Sequence, residues 1–366
     1  MEMKIGELIH IKRKEKNITQ KQLADFVGVS KASVSKWETG QSYPDISLLP
    51  LLAAYFNITI DELLSFRTQL TSTEINTIYA ALQKELIELK PEIDQKIRRL
   101  IRTYWTCGPF VFQMAVLLLN HLDSLTAFDK MESWLAEIRG LFLHVQELSD
   151  NPQLIHHAKV MEASVVLIQE KPEEVIDILG TATPIFLPPE LIITSALQMM
   201  GKIEEAETVM QTSLFQYTII MMNVFIQYLP LTYQNEVQFV ETAHRAQQFV
   251  TVFSIDQYHP LTVLPLYLQI AAGYLSLNRE ADSLCLLEKF TSLMEQTAFP
   301  IELHGDSYFT KVADWLSEYS NGGQPPKETQ LIKLQLIQAV SGPPFDQLSK
   351  DKQYQRLLTR LNTLVD

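Results

Sequence analysis

The sequence predicts an all-α protein: a compact unit of five short helices, followed by a long array of paired helices. Three observations predict it. Only 12 glycines occur in 366 residues, few for a chain built on sheets and their many turns. Helix-start signals recur, with Thr19-x-x-Gln22, Thr59-x-x-Glu62 and Thr71-x-x-Glu74 all reading as capping boxes. Apolar residues then keep a helical spacing through the rest of the chain.

Ile5, Leu8 and Ile9 form the buried face of a first helix ending near Glu15. Thr19 caps a second helix, with Leu23, Ala24 and Val27 inward, and Gly28 closes it, where a positive φ costs little. Ser30 caps a third helix, anchored by Val34 and Trp37 and ending near Gly40. Pro44-Asp45 opens a fourth, with Ile46, Leu49, Leu52, Ala53 and Phe56 inward; Leu63 and Leu64 anchor a short fifth. These five form one domain over residues 1–66. The polar stretch Arg67–Thr73 reads as a hinge, and residues 67–108 as linker helices. One linker helix runs to about Leu89. Pro91 suits the first turn of the next, which carries Lys96, Arg98, Arg99 and Arg102 on a solvated face.

Over residues 109–366 amphipathic helices succeed one another. Leu167–Leu179, Met199–Met210 and Leu275–Leu287 look alike: an apolar helix end, a tight polar turn, then acidic residues and a small or β-branched one. Val175, Ala206 and Ala281 take that last place, Val175 and Ala206 lying 31 residues apart and Ala206 and Ala281 75, with a divergent unit, Gln234–Phe249, between. A period of roughly 34 residues built from two helices is the tetratricopeptide signature, although the repeat's usual Trp and Tyr positions are mostly absent. Such pairs stack into an α-solenoid with a concave face, and the small residue lets the second helix approach the first. A generic helical bundle is the alternative. The breaks at Asn321–Pro326 and Ser341–Pro344 set off a C-terminal cap.

Net charge is −13, but unevenly spread. Residues 1–66 hold 8 basic and 8 acidic side chains, and within residues 1–36 the count is 8 against 4. A local basic face is what phosphate contact needs. Two cysteines, Cys107 and Cys285, make neither a disulfide framework nor a zinc site and fit a reducing cytoplasm. The N-terminus has no signal-peptide core. The most apolar window, Tyr217–Leu231, contains Asn223, Gln227 and Pro230 and falls short of the ~20 residues of a membrane span, so no membrane is expected. No phosphate-binding loop, HExxH or GxSxG motif occurs. His156-His157 are neighbours on different helix faces, poor metal spacing. No catalytic residue, metal or cofactor is expected.

Residues 20–39, QKQLADFVGVSKASVSKWET, resemble the helix-turn-helix of the Cro/repressor (Xre) family, and the resemblance extends over about residues 3–66. Gln20, Ala24, Gly28, Val34, Trp37-Glu38 and Gly40 stand where that pattern wants them. It implies that the helix opening at Lys31 enters the major groove, its first residues meeting base edges. Lys31, Ala32, Ser33, Ser35 and Lys36 face outward; lysine donates to guanine, and Ala32 suits a thymine methyl. Gln20 is expected to grip a phosphate from the start of the second helix. Ser42 and Tyr43 are further phosphate candidates, and Arg13 and Lys21 add charge. Each has a plainer reading, as solvated surface or, for Tyr43, packing under its loop. The resemblance further implies two-fold dimers on a palindromic operator.

An Xre domain before degenerate repeats also resembles the peptide-responsive Rgg/PlcR/PrgX group of regulators, by architecture over residues 109–366. That implies a homodimer formed by the repeats and a short signalling peptide in the concave face. Asn120, His157, Asn223, Gln227 and Gln269 are candidates to meet the peptide's amides. The other readings are repeats that bind a partner protein, or that only dimerise.

Overall fold

A computed structural model describes residues 5–64, 68–183, 185, 187–299, 301, 303–318 and 329–364. The described residues form helices and no strands. Asn321–Pro326 and the 66/67 boundary lie outside them.

The first five helices are α1 (Ile5–Glu15), α2 (Gln20–Val27), α3 (Lys31–Glu38), α4 (Leu49–Phe56) and α5 (Ile60–Leu63). They enclose one core of Ile5, Ile9, Leu23, Val34, Trp37, Leu52, Phe56 and Leu63. Both expected capping boxes form, at Thr19 and Thr59. Gly28 ends α2 at φ 76°, its amide donating to the Ala24 carbonyl. Gly6 serves close approach: a Cβ there would lie 2.0 Å from the Trp37 carbonyl oxygen, so α1 can meet the end of α3 only without a side chain. The fourth helix departs from expectation. A short 3-10 turn, Ile46–Leu48, precedes α4, and Ile46 is 80 % exposed instead of inward. The Asp45 carboxylate caps that turn through the Ser47 amide, which fixes its direction away from the core.

Next come α6 (Ser72–Ile87), α7 (Ile93–Thr103), α8 (Gly108–Asn120), α9 (Leu122–Leu125), α10 (Met131–Leu148), α11 (Pro152–Ile168) and α12 (Pro172–Leu179). The segment expected as linker shares a core with the helices C-terminal to it: Ile75, Tyr79, Leu86, Ile97 and Ile101 pack with Phe110, Met114, Trp134 and Phe142. Pro91 lies ahead of α7, which starts at Ile93 after Glu92 in the left-handed region. Its basic residues are not all solvated. Lys96 pairs with Glu85, and Arg98 bridges Asp94 and Glu137 while lying over the Trp134 ring. Arg139 joins three helices by pairing with the buried Glu162 on α11 and with Glu174 on α12.

The remainder is α13 (Glu190–Met199), α14 (Ile203–Thr232), α15 (Glu236–Phe253), α16 (Ile255–Tyr258), α17 (Pro260–Ser276), α18 (Glu280–Gln296), α19 (Val312–Glu318), α20 (Thr329–Ser341) and α21 (Lys352–Asn362). A second large core runs from Phe215 to Leu361. Consecutive helices joined by tight turns, α10–α11, α11–α12, α13–α14 and α17–α18, pack on one another as a solenoid of helix pairs requires. The last three of these turns repeat the same backbone device: Glu170, Gly201 and Asn278 all take positive φ. Aligned on those turns, the small inward residue of the last unit is Ser283, which is fully buried. Ala281, expected there, is exposed; the unit's register is two residues later than the sequence match suggests. The apolar window near Tyr217 belongs to a longer helix than expected. By length and composition α14 could cross a membrane, yet it places Phe215, Met222 and Leu229 in the core.

Candidate functional site

The two capped starts and the left-handed Gly28 set α3 across α2, with Val34 and Trp37 beneath it. Ser30 caps α3 through the Ser33 amide. Lys31, Ala32 and Lys36 are exposed on the outer face, and Ser35 is half-buried. Ser33 is partly turned inward, its hydroxyl 2.9 Å from that of Ser30. Tyr43 is exposed and does not pack under the loop; Ser42 is half-buried, its amide donating to the Lys36 carbonyl. Lys21 is exposed.

Behind this face lies a clamp on Glu38. Its carboxylate accepts from Arg13 Nε at 2.6 Å, Arg13 Nη2 at 3.0 Å and Gln20 Nε2 at 2.9 Å, with His10 Nδ1 at 3.0 Å. Its side chain is 4 % exposed. Burial pushes the carboxyl up, but the bonds from Arg13, Gln20 and His10 outweigh it and bring it down to about 2. Arg13 is therefore not free charge for DNA: it is buried, spent on Glu38 and on the Ile18 carbonyl. Gln20, half-buried, is oriented by Glu38 and keeps one amide N–H to offer outward. The clamp's partners lie 18, 25 and 28 residues from Glu38, so no local spacing reveals it.

In the repeats, a groove of about 920 Å³ opens between α6, α8, α11 and α14. Phe112, Val116, Val160, Met161 and Ile220 supply apolar walls, with Asn76, Gln113, His156 and His157 among them. The Gln113 Oε1 is buried with no hydrogen-bond partner. Of the five residues proposed from sequence, His157 lines the groove. Asn120 stands one helical turn beyond Val116 on α8, and Asn223 and Gln227 come after Ile220 along α14. Asn223 donates to the Ile219 carbonyl of its own helix. Gln269 is engaged elsewhere, its amide oxygen accepting from the Tyr233 hydroxyl at 2.8 Å. Phe112, Gln113 and Asn76 went unnoticed in sequence because they read as ordinary helix positions. Among the described residues no cluster of three or more His, Cys, Asp or Glu is placed to hold a metal.

Residues 9–63 match the helix-turn-helix family HTH_3. The chain is 42 % identical over 72 residues to the HTH-type transcriptional activator BcrR of Enterococcus faecalis, covering 20 % of this chain and 35 % of that protein. It is 43 % identical over 61 residues to the cryptic phage CTXphi transcriptional repressor RstR of Vibrio cholerae, covering 17 % and 54 %. It is 29 % identical over 105 residues to the competence pilus inhibition repressor of Acinetobacter baylyi, covering 28 % and 94 %. The chain thus spans about a third and about half of the first two relatives. Among solved structures, Bacillus thuringiensis PlcR in complex with the peptide PapR7 and DNA matches at TM-score 0.30 and 17 % identity, over 80 % of this chain and 95 % of that one. Apo ComR from S. Thermophilus matches at 0.26 and 12 %, over 81 % and 95 %. The chain carries an Xre-type helix-turn-helix domain at its N-terminus.

Proposed function

We propose that this chain is a sequence-specific DNA-binding transcriptional regulator that docks α3 in the major groove. The observation that carries the reading is the outer face of α3: Lys31, Ala32 and Lys36 stand exposed at a helix whose other side is locked by Val34, Trp37 and the Glu38 clamp. A rigid, half-buried helix presenting short and cationic side chains is what reading base edges requires. The test is footprinting of the full chain on DNA flanking its gene. A protected palindrome lost in the Lys31→Ala/Lys36→Ala variant supports the reading; protection indifferent to both substitutions contradicts it.

The input we propose is a short peptide in the α6–α8–α11–α14 groove. The volume is that of a ligand site, and the walls alternate apolar surface with amide and imidazole groups. An extended peptide brings backbone N–H and C=O groups that need such partners. A second reading, repeats that engage a protein surface, draws on the apolar residues left outward on α12 and α13.

A further inference from the structure

Helix α7 carries four basic side chains and one acidic in its 11 residues, inside a chain of net charge −13. Its inner face is fixed by the buried Ile93, Ile97 and Ile101. Two of the cations are engaged: Lys96 holds Glu85 on α6, and Arg98 holds Asp94 and Glu137. Arg99 and Arg102 are left over. Both are exposed, and among the described residues no hydrogen bond or ion pair takes up either guanidinium. With Gln95, also exposed, they stand at i, i+4 and i+7, one stripe opposite the isoleucines. The helix dipole favours a cation in the last turn, which accounts for Arg102 but not for Arg99 before it. Like charges one turn apart repel, so an anion shared between the two would stabilise both.

The chain itself ties this stripe to the helix-turn-helix domain. Gln69 Nε2 donates to the Thr106 carbonyl at 3.0 Å, just past the end of α7, and Leu70 packs on the core that α7 shares. Leu64, at the end of α5, is five residues from Gln69, so the two can lie no more than ~18 Å apart. A domain seated on DNA through α3 therefore holds the Arg102 end of α7 near the same duplex. We propose that Arg99 and Arg102, with Gln95 as a further donor, bind phosphates of the duplex flanking the base pairs that α3 reads. This rests on the DNA-binding reading above. Guanidinium groups pair with phosphate oxygens whatever the base sequence, so the contact adds affinity and length of footprint, not base preference. Three residues of helix separate the arginines by ~4.5 Å along its axis, against ~3.4 Å of duplex axis per phosphate on one strand, so each can take its own phosphate.

The experiment selects binding sites for the full chain from a random duplex pool, then measures affinity against salt on two duplexes. One carries the selected site with about two helical turns of flanking DNA on each side; the other is trimmed to the consensus. On the long duplex Arg99→Gln/Arg102→Gln is expected to bind about tenfold more weakly, its slope of log affinity on log salt shallower by about 2. On the trimmed duplex it should match the parent, and its selected consensus should be unchanged. Arg99→Lys/Arg102→Lys keeps both charges and should keep the slope. Equal slopes for the parent and the glutamine variant on the long duplex overturn the proposal. So does an equal loss on both duplexes, which marks an indirect effect through fold or assembly. A parent whose site is lost in Lys31→Ala/Lys36→Ala but whose slope ignores Arg99 and Arg102 refutes this contact alone. A parent that selects no site removes the DNA-binding reading, and this contact with it.

Discussion

Arg13 and Glu38 face each other as a two-bond pair, Nε to Oε1 at 2.6 Å and Nη2 to Oε2 at 3.0 Å, and so join α1 to the last residue of α3. Both side chains are buried, at 7 % and 4 % exposure. Removing one member of such a pair strands the other, so Glu38→Gln is expected to cost about 3 kcal/mol. The pH dependence comes from the same carboxyl. Its folded value, about 2, lies below the ordinary one near ~4.3, so its stabilisation is complete above that ordinary value and is lost as pH falls toward about 2. The shift amounts to about 3 kcal/mol between the two limits. Opening free energies of α1–α3 amides, from hydrogen exchange corrected for intrinsic rates, should fall over that window in the parent. The drop should be much smaller in Glu38→Gln; an equal drop in both would contradict the assignment.

Gln20 and the two exposed lysines should separate by the kind of binding they lose. Lys31→Ala and Lys36→Ala are each expected to weaken operator binding, by about 1–3 kcal/mol where a base contact is lost, and at least one should relax base preference. A lysine that meets only phosphate should instead lower the salt slope by about 1. Gln20→Ala should weaken all sequences alike if the amide N–H that Glu38 leaves free donates to a phosphate, as proposed. Selection of preferred sites from a random pool checks all three. A changed consensus in Gln20→Ala would rule out a phosphate role.

The N-terminal domain was legible because its signals are local. Thr19, Thr59 and Gly28 fix helix ends within four residues of themselves, and the expected caps form. Ile46 was misplaced because the apolar spacing holds through it, while the Asp45–Ser47 bond starts a 3-10 turn that spacing does not encode. The Glu38 clamp was hidden for a related reason: its partners come from two other helices. In the repeats, matching acidic runs put Ala281 in the inward place, whereas the left-handed turn residues Glu170, Gly201 and Asn278 set the register and bring Ser283 there. Backbone turns were the better ruler, but a positive φ on Glu170 has no sequence signature.

Gln113 tests the groove through a contrast between stability and binding. Its Oε1 is buried and unpaired, a cost to the folded chain that a ligand N–H would relieve. Gln113→Leu removes that cost while keeping most of the volume. The melting temperature should hold or rise, and affinity for a peptide encoded near the gene should fall by about tenfold. Calorimetry and thermal melts read the two effects separately. Undiminished peptide affinity in this variant would place the peptide elsewhere.

Helix α12 buries no side chain and α13 only Thr194, which leaves Ile176, Leu179, Leu191 and Met199 outward, with Ile192 74 % exposed. Soluble monomers rarely leave so many large apolar side chains of one short stretch of chain in water, since burying them against a partner removes apolar surface at about 25 cal/mol per Å². A palindrome-reading regulator supplies its own partner in a second copy. The parent chain is therefore expected to sediment as a dimer at micromolar concentration, and Leu179→Asp/Ile192→Asp as a monomer. Because both side chains are solvent-facing within one chain, the double variant should keep its helicity and its melting temperature. Operator affinity should drop toward that for a half-site, since α3 itself is untouched. A parent that sediments as a monomer would remove the dimer, and a double variant that stays dimeric would move the interface off these helices.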